Sequence, residues 1–133
     1  MKGFVDNIER LTTENTDYRR VLYTGKHLQL VLMTLQPGEE IGSEVHRTHD
    51  QFLRVESGRG EVVIDDVPHP IEDDDAVIVP AGARHNVVNT GDAPLRLYTL
   101  YAPPEHRDGV VHKTKEQAER DHDNDHWDGE TTE

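Results

Sequence analysis

Four residues in the middle of this chain, Glu44, His46, Gln51 and His85, carry side chains that could meet around a metal ion. Glu44 and His46 are two residues apart, so on an extended segment both side chains point to the same face. Gln51 follows a short turn, on what reads as the returning strand of a hairpin. His85 arrives from a separate hairpin, just past Pro80-Ala81-Gly82. Two imidazoles, one carboxylate and one amide oxygen suit a single divalent ion such as iron, manganese, cobalt, nickel or zinc, with room left for water or substrate. The chain has no cysteine, so any metal must be held by nitrogen and oxygen, and disulfide frameworks, zinc fingers and thiol catalysis are excluded together.

The elements that must position these groups are strands. Between Tyr18 and Ala102 short apolar or alternating runs are separated by turn signals, the pattern of an all-β sandwich or barrel. His27 to Leu35 is apolar at nearly every position, as a strand buried on both faces would be, and Pro37-Gly38 ends it. Gln51 to Glu56 and Gly60 to Ile64 flank Ser57-Gly58 as a tight hairpin, and Asp65-Asp66 turns the chain again before Pro68. Ala76 to Val79, Asn86 to Val88 and Leu95 to Tyr101 supply further strands, and closure into a barrel removes their exposed edges. After Pro103-Pro104, Thr114 caps a short surface helix starting at Lys115-Glu116, with Gln117 at the capping-box position. Beyond Asp121 the chain is almost wholly polar and is expected to be disordered or a loose arm.

The same segment carries a resemblance. Gly38, Glu44, His46, Gln51 and Gly58 follow the spacing of the first motif of the cupin superfamily: Gly, five residues, His, one, His, three or four, Glu, six, Gly. Asp74, Pro80, Gly82, His85 and Asn89 follow the second: Gly, five, Pro, one, Gly, two, His, three, Asn. The chain therefore resembles a small single-domain cupin over residues 18 to 102, which implies a double-stranded β-helix, the jelly-roll barrel. Residues 1–17 form an N-terminal segment, 18–104 the barrel and 105–133 a C-terminal extension. The resemblance also implies a homodimer pairing through barrel strands, with segments such as Gly3 to Ile8 exchanged. Three positions depart from the pattern. Glu44 replaces the first histidine and Gln51 the usual glutamate, so the carboxylate changes coordination position while the ligand set keeps one negative charge. Asp74 replaces a glycine at a turn expected to have positive φ.

The remaining candidates read more simply. His49 lies three residues after His46, but on a strand, turn and strand the two rings diverge, so it is expected as a solvated turn residue. His106 and His112 flank Arg107-Asp108-Gly109 and read as an exposed loop, with a cover over the barrel mouth as the alternative. His122 and His126 sit four apart in the polar tail, where adventitious metal binding is the expectation, and His27 and His69 read as surface residues. Trp127 either anchors the tail or is exposed. Arg54, Arg96, Tyr98 and Tyr101 lie on strands, where an inward arginine or tyrosine could orient an anionic or hydroxylated ligand; parity alone does not fix which, and most are expected to face solvent.

Composition bounds the partners. The 133 residues amount to about one domain. No apolar run approaches the roughly 18 residues needed to span a bilayer, and the expectation is a soluble, cytoplasmic protein with no membrane partner. A formal charge of −13, from 27 acidic and 14 basic residues, repels phosphate backbones and argues against nucleic acid. Two function classes follow. One is a metal-dependent enzyme on a small polar metabolite or sugar, an isomerase, dioxygenase or lyase, with Glu44 doubling as catalytic base. The other is a non-catalytic module that captures a small molecule or sugar at the metal. The chain looks similar to type II mannose-6-phosphate isomerase-like cupins, but a sugar phosphate would need several basic groups, and the strands offer Arg54, Arg84 and Arg96 at most.

Overall fold

The computed structural model describes residues 1–133 as ten antiparallel strands in two facing sheets with a short helix near each end of the chain. The larger sheet has the order β10-β1-β2-β9-β4-β7 and the smaller β3-β8-β5-β6, the two halves of a jelly roll. Strands β1 (Arg19–Thr24), β2 (Gln29–Leu35), β4 (Asp50–Ser57), β7 (Ala76–Val79), β9 (Leu95–Ala102) and β10 (Val111–His112) form the first sheet. Strands β3 (Glu44–Val45), β5 (Arg59–Ile64), β6 (Val67–Glu72) and β8 (Arg84–Val88) form the second. No helix is long and apolar enough to cross a membrane.

The period of two dictates what faces inward. On β9 Leu95, Leu97, Thr99 and Tyr101 are buried while the residues between them are not, and on β4 the buried set is Gln51, Leu53 and Val55. Central strand β2 is buried on nearly every residue, as its continuous apolar run requires. Val31, Met33, Leu35, Val62, Val87 and their neighbours fill the space between the sheets in one cluster. Asp65 and Asp66, both at positive φ (46° and 69°), make the two-residue β5–β6 turn, the mirror-image geometry that matches strand twist. Asp74 has φ 71°, as its place in the second motif predicts.

Two strand pairings differ from the sequence reading. Strands β4 and β5 are not a hairpin, because the chain crosses at Ser57-Gly58 from the larger sheet to the smaller. Gly58 is required there: its φ is 96°, and an added Cβ would lie 2.6 Å from the Pro94 carbonyl oxygen. Likewise β3 pairs with β8, with Glu44 opposite His85, and not with β4. The ends of the chain also differ. Residues Ile8–Glu14 form α1, capped by the Asn7 side chain, which accepts from the Arg10 amide at 2.9 Å. Thr114 caps α2 (Lys115–Arg120) as expected.

The C-terminal extension is not a loose arm. Strand β10 joins the larger sheet beside β1, so that sheet continues past residue 104. A turn of 3-10 helix covers His122–Asn124, and Asp125 is buried against His106. Trp127 donates its backbone N–H to the Glu105 carbonyl, and the Thr132 amide donates to Thr24. Polar composition suggested disorder because it supplies little apolar area to bury. The arm is held instead by directed polar contacts to buried histidines.

Candidate metal centre

The four sequence candidates come from three strands and one adjoining loop. Strand β3 delivers Glu44, the chain just past its end delivers His46, β8 delivers His85 and β4 delivers Gln51. One ligand atom each from Glu44, His46 and His85 lie within 4.8 Å of one another, a spacing that fits a shared cation. The direct register of Glu44 on His85 across the β3–β8 ladder brings that pair together. Gln51 is buried to 4% exposure and donates its amide to Thr99 Oγ1 at 3.0 Å. Its Oε1 is buried with no partner. An unpaired buried carbonyl costs about 1–3 kcal/mol, and ligation is one way to satisfy it.

Each histidine is held by a different device. His85 Nδ1 lies 3.2 Å from the Ala83 carbonyl, so the N–H sits on Nδ1 and the Nε2 lone pair is free. Burial, partly opposed by that backbone contact, pushes His85 below its ordinary 6.5, which favours the neutral form that ligates. His46 stands between two carboxylates: Nε2 is 3.0 Å from Glu44 Oε2 and Nδ1 is 3.6 Å from Glu105 Oε2. Nε2 is nevertheless buried without an aligned hydrogen bond. Burial lowers the affinity of His46 for a proton, but the Glu44 contact and the Glu105 charge outweigh it, and the ring ends above 6.5. For Glu44 burial acts upward, and the contacts with His46 and the charges of Arg19 and His85 take it below its ordinary 4.5. Glu44 is therefore ionised at neutral pH, with 34% of its side chain exposed.

Around this group the structure corrects several expectations. His49 is not a solvated turn residue. Its Nε2 donates to the Pro104 carbonyl at 3.0 Å and lies 3.3 Å from Glu105 Oε2, so His46, His49 and Glu105 form a second cluster sharing the His46 ring. His106 and His112 are buried, not exposed. His106 Nδ1 contacts Asp125 Oδ2 at 2.8 Å, and His112 Nε2 contacts Asp121 Oδ2 at 2.9 Å. Tyr101 faces inward and its ring meets His46 and His106 edge-on. Arg54 instead pairs with Glu56 and Asp74, and Arg96 donates to the Asn15 carbonyl.

A cavity of about 650 Å³ adjoins the cluster, walled by Glu44 and His46 on one side and by Tyr18, Arg19, Glu105 and Lys115 on others. Arg54, Arg84 and Arg96 do not line it. Arg19, Glu105 and Lys115 went unmarked in the sequence. Glu105 lies one residue past Pro103-Pro104 with no periodicity to place it. For Arg19-Arg20, strand alternation requires one of the two to face inward but does not say which.

Residues 31–101 match the family described as Cupin domain. The chain is 50% identical over 123 residues to the uncharacterized protein YrkC of Bacillus subtilis, covering 88% of this chain and 66% of that relative, so it spans just under two thirds of YrkC. Among solved structures, BH2720 of Bacillus halodurans superposes with a TM-score of 0.88 at 50% identity, covering 90% of this chain and 95% of that one. A sugar phosphate isomerase of the cupin superfamily from Silicibacter pomeroyi superposes at 0.57 with 28% identity, over 68% of this chain and 62% of that one. Two facing antiparallel sheets, and a family match that spans more than half of the residues, lead to one assignment: this chain belongs to the cupin family.

Proposed function

We propose that this cupin holds one divalent metal ion on Glu44, His46, Gln51 and His85 and is a metal-dependent enzyme acting on a small polar metabolite or sugar in the adjoining cavity. The observation that carries the reading is the convergence of ligand atoms from Glu44, His46 and His85 within 4.8 Å. The unpartnered Gln51 oxygen supports it as a fourth donor. When bound, the ion supplies Lewis acidity, polarising a carbonyl or hydroxyl oxygen. The chain's own residues do the rest. His85 presents Nε2 because the Ala83 carbonyl holds its other nitrogen, and His46 is oriented by a carboxylate on each side. Glu44, ionised and partly open to the cavity, is the group able to accept a proton from a bound molecule. Tyr18, pushed up to about 12 mainly by burial, stays protonated in the same cavity wall as a hydrogen-bond donor.

Proton transfer of this kind favours an isomerase or lyase over oxidation. The name of the Silicibacter relative lends support to isomerase chemistry on this scaffold. The test is elemental analysis of the full chain carrying His122→Ala and His126→Ala, so that the tail histidines do not add to the count. The arm itself must stay, because Asp121 and Asp125 contact buried histidines. One metal per chain that vanishes in His85→Ala supports the site, and no retained metal removes the reading. Turnover of a panel of sugars, sugar phosphates and hydroxy acids that is lost in Glu44→Ala supports the enzyme. Ligand-induced stabilisation without product identifies a binding module.

A further inference from the structure

We propose that the cavity beside the metal ligands contains an anion subsite, in which Arg19 and Lys115 hold a carboxylate or phosphate group of a small molecule whose other end reaches Glu44. The inference deepens the function proposed above, and only the role of Glu44 within it rests on that reading.

Arg19 is the first residue of β1 and faces inward, opposite Met33 on one neighbouring strand and His112 on the other. Its side chain is 9% exposed, an unusual depth for a guanidinium, and it forms part of the cavity wall. A buried guanidinium has five N–H donors to satisfy. Only Nη1 has neighbours within contact range, His112 Nδ1 at 3.4 Å and Asp125 Oδ2 at 3.5 Å. Nε is buried with no partner at all. The pairing with Asp125 is therefore a single loose contact, not the two-pronged fork that arginine makes with a committed carboxylate. The guanidinium also lies over the Tyr18 ring, with Cζ 5.4 Å from its centroid, which restricts its orientation.

Lys115, on the same wall, is similarly uncommitted. Its nearest carboxylate is Glu119 at 3.9 Å, one helical turn along α2. Two of the cavity's three carboxylates differ from its basic groups in this respect. Glu44 faces His46 and His85, and Glu105 faces both His46 and His49, so each already has cationic or ligating work. Glu119, the third carboxylate on the wall, stays 3.9 Å from Lys115. What is left over in the cavity is unused N–H donors on two cationic side chains, in a protein whose formal charge is −13. That combination fits a small organic anion and disfavours a large polyanion, which the acidic exterior repels.

The experiment is calorimetric titration of the full chain, metal-free and metal-loaded, with inorganic phosphate, with malonate and with glucose as the neutral control. We expect phosphate or malonate to bind and glucose not to, and the stronger of the two identifies the anionic group. Lys115→Met and Arg19→Lys should each weaken that binding at least about tenfold, as loss of a charged hydrogen bond requires. Metal content should stay unchanged. Because Arg19 is buried, thermal unfolding of Arg19→Lys is recorded in parallel, and half-buried Lys115 supplies the variant that leaves the core untouched. Anion affinity that is the same in Lys115→Met and the parent, or no anion binding by either form, overturns the subsite. Binding that survives metal removal but depends on Lys115 upholds the subsite even if the metal site fails.

Discussion

The two ends of the barrel are built on one backbone pattern and filled with opposite chemistry. Strand β9 carries Leu95 and Leu97 inward at one end and Thr99 and Tyr101 inward at the other, and β4 runs the reverse way, from Gln51 to Leu53 and Val55. On β8, His85 at one end gives way to Val87 two residues later. At the apolar end every buried group packs. At the polar end Gln51 Oε1, His46 Nε2 and Arg19 Nε are buried without aligned partners. Nothing in the ladder geometry distinguishes the ends, so the difference lies in residue type alone. Among such buried atoms Arg54 Nε, 3.2 Å from a Glu56 carboxylate oxygen, lies outside this end, and leaving the others without aligned partners costs stability there.

The contrast can be broken most severely at the polar end by His85→Ala, which is expected to abolish stoichiometric metal binding while leaving a cooperative thermal transition. Metal retained at one per chain would remove His85 from the site. At the apolar end Leu97→Ala should cost about 2–5 kcal/mol in denaturant unfolding with metal stoichiometry preserved. If Leu97→Ala instead costs less than His85→Ala in the metal-free protein, the two ends do not divide labour as described.

Smaller effects sharpen the same comparison. Glu105→Gln removes the charge beside His46 Nδ1 and should lower metal affinity by about 10–100-fold, read by competition with a chelator. An unchanged affinity would mean that Glu105 serves the arm only. Converting the polar end towards the apolar one with Gln51→Leu and Thr99→Val removes the orphaned oxygen and its hydrogen-bonded neighbour together. The metal-free protein should gain about 1 kcal/mol and bind metal more weakly, and a loss of stability would contradict the account of the Gln51 oxygen.

The smallest effect concerns the arm that walls the cavity. Burial pushes His106 below its ordinary 6.5 in spite of Asp125, so the docked arm prefers the neutral ring and the released chain takes up the proton first. Docking stability is thus complete above 6.5 and declines as pH falls from there towards the lowered folded value. Asp125 adds to this at lower pH. Burial pushes it up, but the His106 contact and the charges of His106 and Arg19 bring it below 3.8, so its contribution disappears as pH drops through that lowered value. Trp127, the only tryptophan, sits in the arm and reports the change by fluorescence. A signal that stays flat between about pH 7 and about pH 5 would show that His106 does not govern docking.

Much of the site was legible because it depends on local rules. Residue spacing identified Glu44, His46, Gln51 and His85, of which the structure draws Glu44, His46 and His85 together. Apolar runs and turn signals marked most of the strands. Asp65-Asp66 marked a turn, Asp74 a turn with positive φ, and Thr114 a helix start. Less legible were α1 and the edge strand β6, where exposed Pro68 and Pro70 give no strand signal.

By itself the sequence determined the all-β architecture, the candidate ligand residues and the absence of cysteine chemistry, since these follow from composition, period and motif spacing. Only the tertiary structure decided that β3 lies on β8, that Ser57-Gly58 crosses between sheets, and that Arg19, Glu105 and Lys115 share a cavity with Glu44. It also decided that His106 and His112 are buried under a polar arm. The physical reason is range. Period and turn chemistry act over a few residues, whereas the contact of Arg19 with Asp125 or of Gln29 with His106 joins segments whose separation no local pattern records.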